Sequence, residues 1–358
     1  MDFPVFATKI AGVTESFDLS DNTQRYKYFK AKAGKQIEQI KQYLENNSFV
    51  GFLLAKKQAG KGTYSKMFTE IIGSDRFAHL SIGDLVREVH TDLGNPAKLV
   101  DFRRYLESNY RGFISIDEVV DSILGRSPRK LIPTEVILTL VRRKMESLKG
   151  VALFIDGFPR NLDQISYSLY FREIMNLRDD PDFFILIQIP ESVIDARMKA
   201  RVICPLCNTS RNTRLLPTKF VSYRKDKRKF ILQCDNQECA GYKNADLVGK
   251  EGDDLGIEVI SDRIKADEKL IKMATSLHGV PKVLLRNSVP VGQKDKFDKY
   301  ELTPAYSYKF DERKEKVNVV EKSWIIKDDK GVDSYSLLAA PVVLSLIYQI
   351  HDLLGLGE

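Results

Sequence analysis

The run Leu153-Phe154-Ile155-Asp156-Gly157-Phe158-Pro159-Arg160, with Gln164 four residues past the arginine, decides the fold. Three large apolar residues leading into Asp-Gly read as a buried parallel strand that stops at a functional edge. In an open α/β sheet, ligands bind just beyond the carboxyl ends of such strands. An aspartate there can hold a hydrated Mg²⁺, and a glycine lets a ligand approach the backbone. An arginine grips phosphate with a planar fork of donors.

Upstream, residues 49–55 form the first strong strand and feed Gln58-Ala59-Gly60-Lys61-Gly62-Thr63, ahead of a helix expected from about Thr63. A phosphate-binding loop requires that strand–loop–helix context. Backbone N–H groups at the helix start would cradle nucleotide phosphates. Lys61 would neutralise the β- and γ-phosphates, and Thr63 would face Mg²⁺ and its waters. Alone, the Gly-Lys-Gly-Thr residues could be an ordinary helix start. With the Asp156-Gly157 element they point to two phosphorylated ligands meeting over one sheet.

The composition agrees. The chain has 358 residues, 43% hydrophobic and 29% charged, with a net charge of +7, as for a globular protein that handles anionic ligands. Residues 1–20 lack a basic start followed by an apolar run, so no leader and a cytoplasmic location are expected. The apolar segment 337–354 carries Pro341, Gln349, His351 and Asp352, and reads as a buried C-terminal helix rather than a membrane span.

A helix is expected from Ser20-Asp21 to Asn46, with Tyr26, Phe29, Ile37, Ile40 and Leu44 on the face that packs against the main domain. A short strand at 77–80 ends at Ser81-Ile82-Gly83-Asp84. Helical patterns fill most of 84–149, broken by Gly112 and at 125–128. Further buried strands are read at 151–155, 183–189 and 281–285, with helices starting at Pro190-Glu191-Ser192 and spanning about 257–277. Residues 289–316 are polar and aromatic without clear periodicity, and read as a long excursion. A segment at 323–326, the turn Asp328-Asp329-Lys330-Gly331 and the terminal helix close the chain. This β–α alternation gives a parallel sheet covered on both faces.

All four cysteines fall in one segment, as Cys204-Pro205-Leu206-Cys207 and Cys234-Asp235-Asn236-Gln237-Glu238-Cys239. Two close pairs build tetrahedral Zn²⁺ sites with four thiolates, and four protein ligands leave no open position, so the metal would be structural. Free thiols or disulfides are the alternatives. Between the pairs, Arg211, Arg214, Lys219, Arg224, Lys225, Lys227, Arg228 and Lys229 interleave with Phe220, Tyr223 and Phe230. That pattern could bind RNA or single-stranded DNA, but a basic lid over a nucleotide accounts for it as well and is preferred.

Together these motifs resemble the adenylate kinases, the nucleoside monophosphate kinases with a Gly-Lys-Gly-Thr loop. Residues 153–164 fit the family's Asp-Gly-Phe-Pro-Arg signature, including the later glutamine. The resemblance runs through Ser81–Arg87, Lys130-Leu131-Ile132-Pro133, Arg197 and Arg201, Asp253-Asp254 and Arg263. It covers roughly residues 48–285, and weakly the last strand and helix. It implies a P-loop three-layer α/β core of residues 48–80, 150–200 and 263–358. An N-terminal extension with its helix takes 1–47, a helical insert for the monophosphate 81–149, and a zinc-bearing lid 201–262.

The resemblance also assigns roles. Lys61, Arg160, Arg201 and Arg263 would surround the phosphoryl group in flight. ATP would lie on Gln58, Ala59, Gly60, Lys61, Gly62, Thr63, Arg197 and Arg201. AMP would lie against Ile82, Arg87, Lys130, Leu131, Ile132, Gly157, Phe158, Arg160, Gln164, Lys250 and Arg263. Thr63 and Asp156 would reach Mg²⁺ through water, and Cys204, Cys207, Cys234 and Cys239 would hold structural Zn²⁺. A monomer that takes ATP and a nucleoside monophosphate, with no membrane partner, is expected. UMP, CMP or GMP kinases are alternatives, as is a nucleotide-sensing or nucleic-acid-binding protein with a decayed kinase core.

The chain departs from the family pattern at four places. Ala55 and Gln58 stand where the loop usually has glycine, Ile82 where a threonine is usual, and Lys250 near the usual place of an arginine. A left-handed backbone at Gln58 would cost about 1 kcal/mol or more.

Overall fold

The computed structural model describes residues 3–125, 132–158 and 179–357. Along the chain, α1 (Asn22–Asn46) leads into β1 (Val50–Ala55), α2 (Lys61–Ile72) and β2 (Phe77–Ser81). Helices α3 (Ile82–Asp92), α4 (Pro96–Asn109), α5 (Ile116–Ile123) and α6 (Thr134–Ser147) precede β3 (Ala152–Asp156), β4 (Asp182–Gln188) and α7 (Glu191–Lys199). Short strands follow: β5 (Arg201–Ile203), β6 (Ser210–Asn212), β7 (Val221–Arg224), β8 (Lys229–Leu232) and β9 (Val248–Gly249). The chain returns through α8 (Ser261–Ser276) and β10 (Lys282–Arg286). It closes with β11 (Ser288–Pro290), β12 (Pro304–Asp311), β13 (Lys316–Ser323), β14 (Ile325–Lys327), β15 (Asp333–Ser336) and α9 (Ala339–Leu353).

The core is a five-stranded sheet in the order β10-β4-β1-β3-β2, with every neighbouring pair parallel. The central strands β1, β3 and β4 are apolar through their middles because both faces are covered, and alternate residues divide between two cores. Leu53, Phe154, Phe183, Ile185 and Ile187 join the core that includes α1, α2 and α9. Phe52, Leu54, Leu153, Ile155, Phe184 and Leu186 join the one built with α3, α6 and α8. Gly51 is required where β1 passes between its neighbours. A Cβ there would lie 2.8 Å from Ile185 and 2.9 Å from Phe154.

Several boundaries differ from the sequence reading. The first helix begins at Asn22, capped by Asp21, whose side chain accepts from Gln24 N–H. The helix after the Gln58-Ala59-Gly60 loop starts at Lys61, two residues earlier than expected, because left-handed Gly60 serves as its N-cap. The helical run of 84–149 has a further break before α4, where Asn95 caps the helix and Pro96 takes its first turn. Pro96 cannot donate a backbone hydrogen bond to α3, so a second helix has to begin. Of the break read at 125–128, residues 126–128 lie outside the described residues.

The excursion read at 289–316 is more regular than its polarity suggests. It carries β11 and most of an antiparallel hairpin, β12–β13, with Pro304 paired to Ser323 and Asp311 to Lys316. A three-stranded antiparallel sheet, β11-β15-β14, joins this region to the core's edge. Among the described residues, no helix is long and apolar enough to cross a membrane.

Candidate active site

The loop leaves β1 at Ala55 and enters α2 at Lys61. Lys61 Nζ lies 3.4 Å from the Ala55 carbonyl oxygen and 3.6 Å from Asp156 Oδ1. This convergence follows from the sheet. Parallel pairing sets Leu53 opposite Asp156, and Ser81 opposite Asp156 on the other side, so all three strands end at one edge. Thr63 is exposed in the first turn of α2, whose free N–H groups point toward that edge.

Two lysines and Gln58 occupy a loop that relies on glycine elsewhere, and each is fixed. Lys56 is buried, with Nζ 2.9 Å from both Glu191 Oε1 and Asp329 Oδ2. Burial pulls its pKa down, but these two carboxylates outweigh burial and leave it raised. The Lys57 N–H donates to Asp267 Oδ2 at 2.9 Å. Gln58 takes φ of 67°, the left-handed value anticipated as strained.

Three arginines border the loop. A Cβ on Gly60 would lie 3.8 Å from Arg197 Nη1. Arg201 forks onto Asp253, with Nη2 2.6 Å from Oδ1, and its Nη1 donates to Gln58 Oε1 at 3.3 Å. Arg263 Nε donates to Asp267 Oδ1 at 2.9 Å. Asp267 is therefore shared between the loop backbone and Arg263. Burial raises its carboxyl pKa, against the pull of Arg263 and Lys61. The sequence reading missed Asp267 and Lys56. The signal for Asp267 was its place one helical turn after Arg263.

The residues expected to meet the acceptor are partly described. Ile82 is buried at the first position of α3, where Ser81 caps the helix by accepting from Asp84 N–H. Arg87 is exposed and pairs with Asp84 on its own helix. Gly157 has φ of 86°, and Phe158 is fully buried. Ile132 packs at the margin of the second core. Lys250 is exposed just after β9. Lys130, Leu131, Arg160 and Gln164 lie outside the described residues.

Between α7 and α8, β6-β5-β9 form one small sheet and β7–β8 a hairpin. The four cysteine sulfurs lie within 4.8 Å of one another, with Cys204–Cys239 at 3.8 Å and Cys207–Cys234 at 3.7 Å. Four thiolates at ordinary Zn–S distances sit about 3.8 Å apart on the edges of a tetrahedron, so the cluster fits a tetrathiolate metal site. Burial pushes Cys234 up to about 12, while the Thr209 hydroxyl and N–H bring Cys207 down to about 6.

The aromatic residues of this segment are not free for bases. Tyr223 stacks on Phe310 at 4.6 Å, Phe230 meets Tyr308 at 5.5 Å, and Phe220 meets Tyr242 at 5.6 Å. Arg211, Arg224 and Lys225 are ion-paired with Asp235, Asp246 and Glu315. A single-strand platform stacks bases on exposed rings, and these three rings are already engaged with other rings of the protein.

No family model matches the chain. Curated relatives do match. An adenylate kinase of Thermotoga petrophila is 30% identical over 166 residues, 45% of this chain and 62% of that enzyme. One from Mycoplasmopsis pulmonis is 24% identical over 60% of this chain and 90% of its own length. One from Solanum tuberosum is 30% identical over 43% of each chain. The chain thus spans less than two thirds of the Thermotoga relative it matches.

Proposed function

We propose, starting from a chain homologous to the adenylate kinases, that it transfers the γ-phosphoryl group of MgATP reversibly to a nucleoside monophosphate, with AMP as the first candidate. The observation that carries this reading is the gathering of Lys61, Arg201 and Arg263 around one loop beside Asp156. Phosphoryl transfer is mostly positioning and charge neutralisation, with little covalent work for the protein. The loop N–H groups and Lys61 bind and orient the triphosphate. Arg201 and Arg263 offset charge on the moving group, and closure of the 201–262 segment excludes water. Mg²⁺, when bound beside Thr63 and Asp156, supplies further charge neutralisation. Arg87, with Arg160 beyond the described residues, would hold the acceptor's phosphate.

The cysteine cluster is proposed to hold one structural zinc, and elemental analysis is expected to find about one equivalent per chain. Such a thiol cluster suits a reducing compartment, consistent with a cytoplasmic location. The function is tested by diphosphate formation from MgATP with AMP, UMP, CMP, GMP and dTMP, each against a no-acceptor control. Turnover with one acceptor, lost in Lys61→Ala while the fold and zinc remain, supports the reading. Absence of turnover with all five overturns it. That result would favour a second reading, nucleotide binding without transfer, which Ala55 and Gln58 in place of the loop's usual glycines support.

A further inference from the structure

We propose that Gln58 is a positioning residue that ties the phosphate-binding loop to Arg201, so that loop and lid arginine are set as one unit. The inference deepens the kinase reading and rests on it. Two independent observations carry it. The first is the backbone: φ of 67° places Gln58 in the left-handed region, where its Cβ crowds the following carbonyl. The second is the side chain: Gln58 Oε1 accepts from Arg201 Nη1 at 3.3 Å.

The surroundings explain why the two go together. Upstream, the Lys57 N–H is held by Asp267, and the Lys56 ammonium by Glu191 and Asp329. Downstream, Gly60 caps α2 and its carbonyl accepts from Tyr64 N–H. With both flanks pinned, Gln58 cannot relax without breaking one of them, and the conformation it is forced into aims its amide at the lid.

On the other side, Nε and Nη2 of Arg201 are taken by Asp253, which leaves Nη1 to meet the loop. Arg201 opens β5 where the chain enters the lid, and Asp253 lies where the chain leaves it. The amide of Gln58 therefore touches the joint between both ends of the lid. Glycine at this position would remove the strain and also the contact. Strain retained at a site like this signals a functional constraint.

The test uses the full chain and two variants. Gln58→Met keeps the length and backbone strain but has no acceptor for Arg201. Gln58→Gly removes both. Both are expected to lose about tenfold in kcat, as for a lost hydrogen bond to a charged group. The KM for ATP should change less than about threefold, because the loop backbone that binds the phosphates is untouched. Gln58→Gly should melt no lower than the parent. Equal kcat in the parent and both variants overturns the proposal, as does a kcat loss matched by a lower melting temperature in Gln58→Gly. If the parent transfers phosphoryl to no acceptor, the kinase reading fails, and a spectroscopic arm still decides the Gln58 contact. In ¹⁵N-arginine spectra the Arg201 side-chain signal, identified by its loss in Arg201→Lys, should shift in Gln58→Met while that of Arg263 stays in place. An unmoved Arg201 signal overturns the contact.

Discussion

Asp267 is one turn beyond Arg263 on α8, and its two oxygens serve two different partners. Burial raises its pKa above the usual 3.8. Between 3.8 and the raised folded value, the native protein keeps a proton that the unfolded chain has released. Unfolding then releases that proton, and stability falls as pH rises through this window. Asp267→Asn has nothing to titrate there. The stability of Asp267→Asn relative to the parent is therefore expected to improve as pH rises through the window and to level off above it. Urea denaturation of both proteins in steps from about pH 4 to pH 7 checks this; a flat or falling difference would refute it. At this scale the sequence singled out Lys61, Asp156, Arg201 and Arg263, and the fold gathers them around one loop. The sequence was silent on Asp267 and Lys56, because a lone acid or a loop lysine reads as a solvated charge until the fold buries it.

Among the elements, the β12–β13 hairpin departs furthest from the sequence reading. Its Tyr308 packs against the small core of Cys204, Leu232, Cys234, Cys239 and Leu247. The Tyr308 hydroxyl donates to the Thr213 carbonyl at 2.5 Å, and Tyr306 N–H to the Arg214 carbonyl at 2.7 Å. The core of the cysteine segment is therefore completed from outside residues 201–262, by a hairpin those residues do not contain. Tyr308→Ala removes a ring contact with Phe230 and the bond to Thr213. Each is worth about 1 kcal/mol. Amides of β7 and β8 are expected to exchange roughly tenfold faster or more in that variant, with those of β1 and β4 unchanged. Hydrogen exchange read by mass spectrometry distinguishes the two regions, and unchanged protection of β7 and β8 would show that the hairpin only rests on the lid. Strand β13 alternates poorly because its burial is slight: Val317 and Val320 are half-buried while their neighbours are exposed. A sheet whose partner is another small domain, not the main core, leaves little hydrophobic period to read.

In the whole molecule, the N-terminal extension is fastened by charge as well as by apolar packing. Lys32 of α1 and Glu301 are both fully buried and lie 2.8 Å apart. Lys32 also reaches Asp298 at 2.7 Å and the Thr8 carbonyl at 2.9 Å, while Glu301 accepts from the Tyr28 and Thr8 hydroxyls at 2.6 Å. Every partner is satisfied, which is what makes removal of one severe: Glu301 would be left as a buried, unpaired charge. Lys32→Ala is expected to destabilise the protein by about 3–5 kcal/mol. Chemical denaturation measures this, and a loss below about 1 kcal/mol would show that water replaces the ammonium. Residues 1–47 and 289–316 had no clear purpose as isolated sequence, yet each holds the other in place against the core. By itself the sequence determined the parallel sheet, the strand–loop–helix at Gly60-Lys61 and the paired cysteines, because these rest on local patterns: apolar runs ending in Gly or Asp, and cysteines a few residues apart. Only the tertiary structure decided which acid braces the loop, where Gln58 points, what completes the core of the cysteine segment and how residues 1–47 are joined to 298–301. Those are contacts between residues far apart in the chain, and no local period or spacing encodes them.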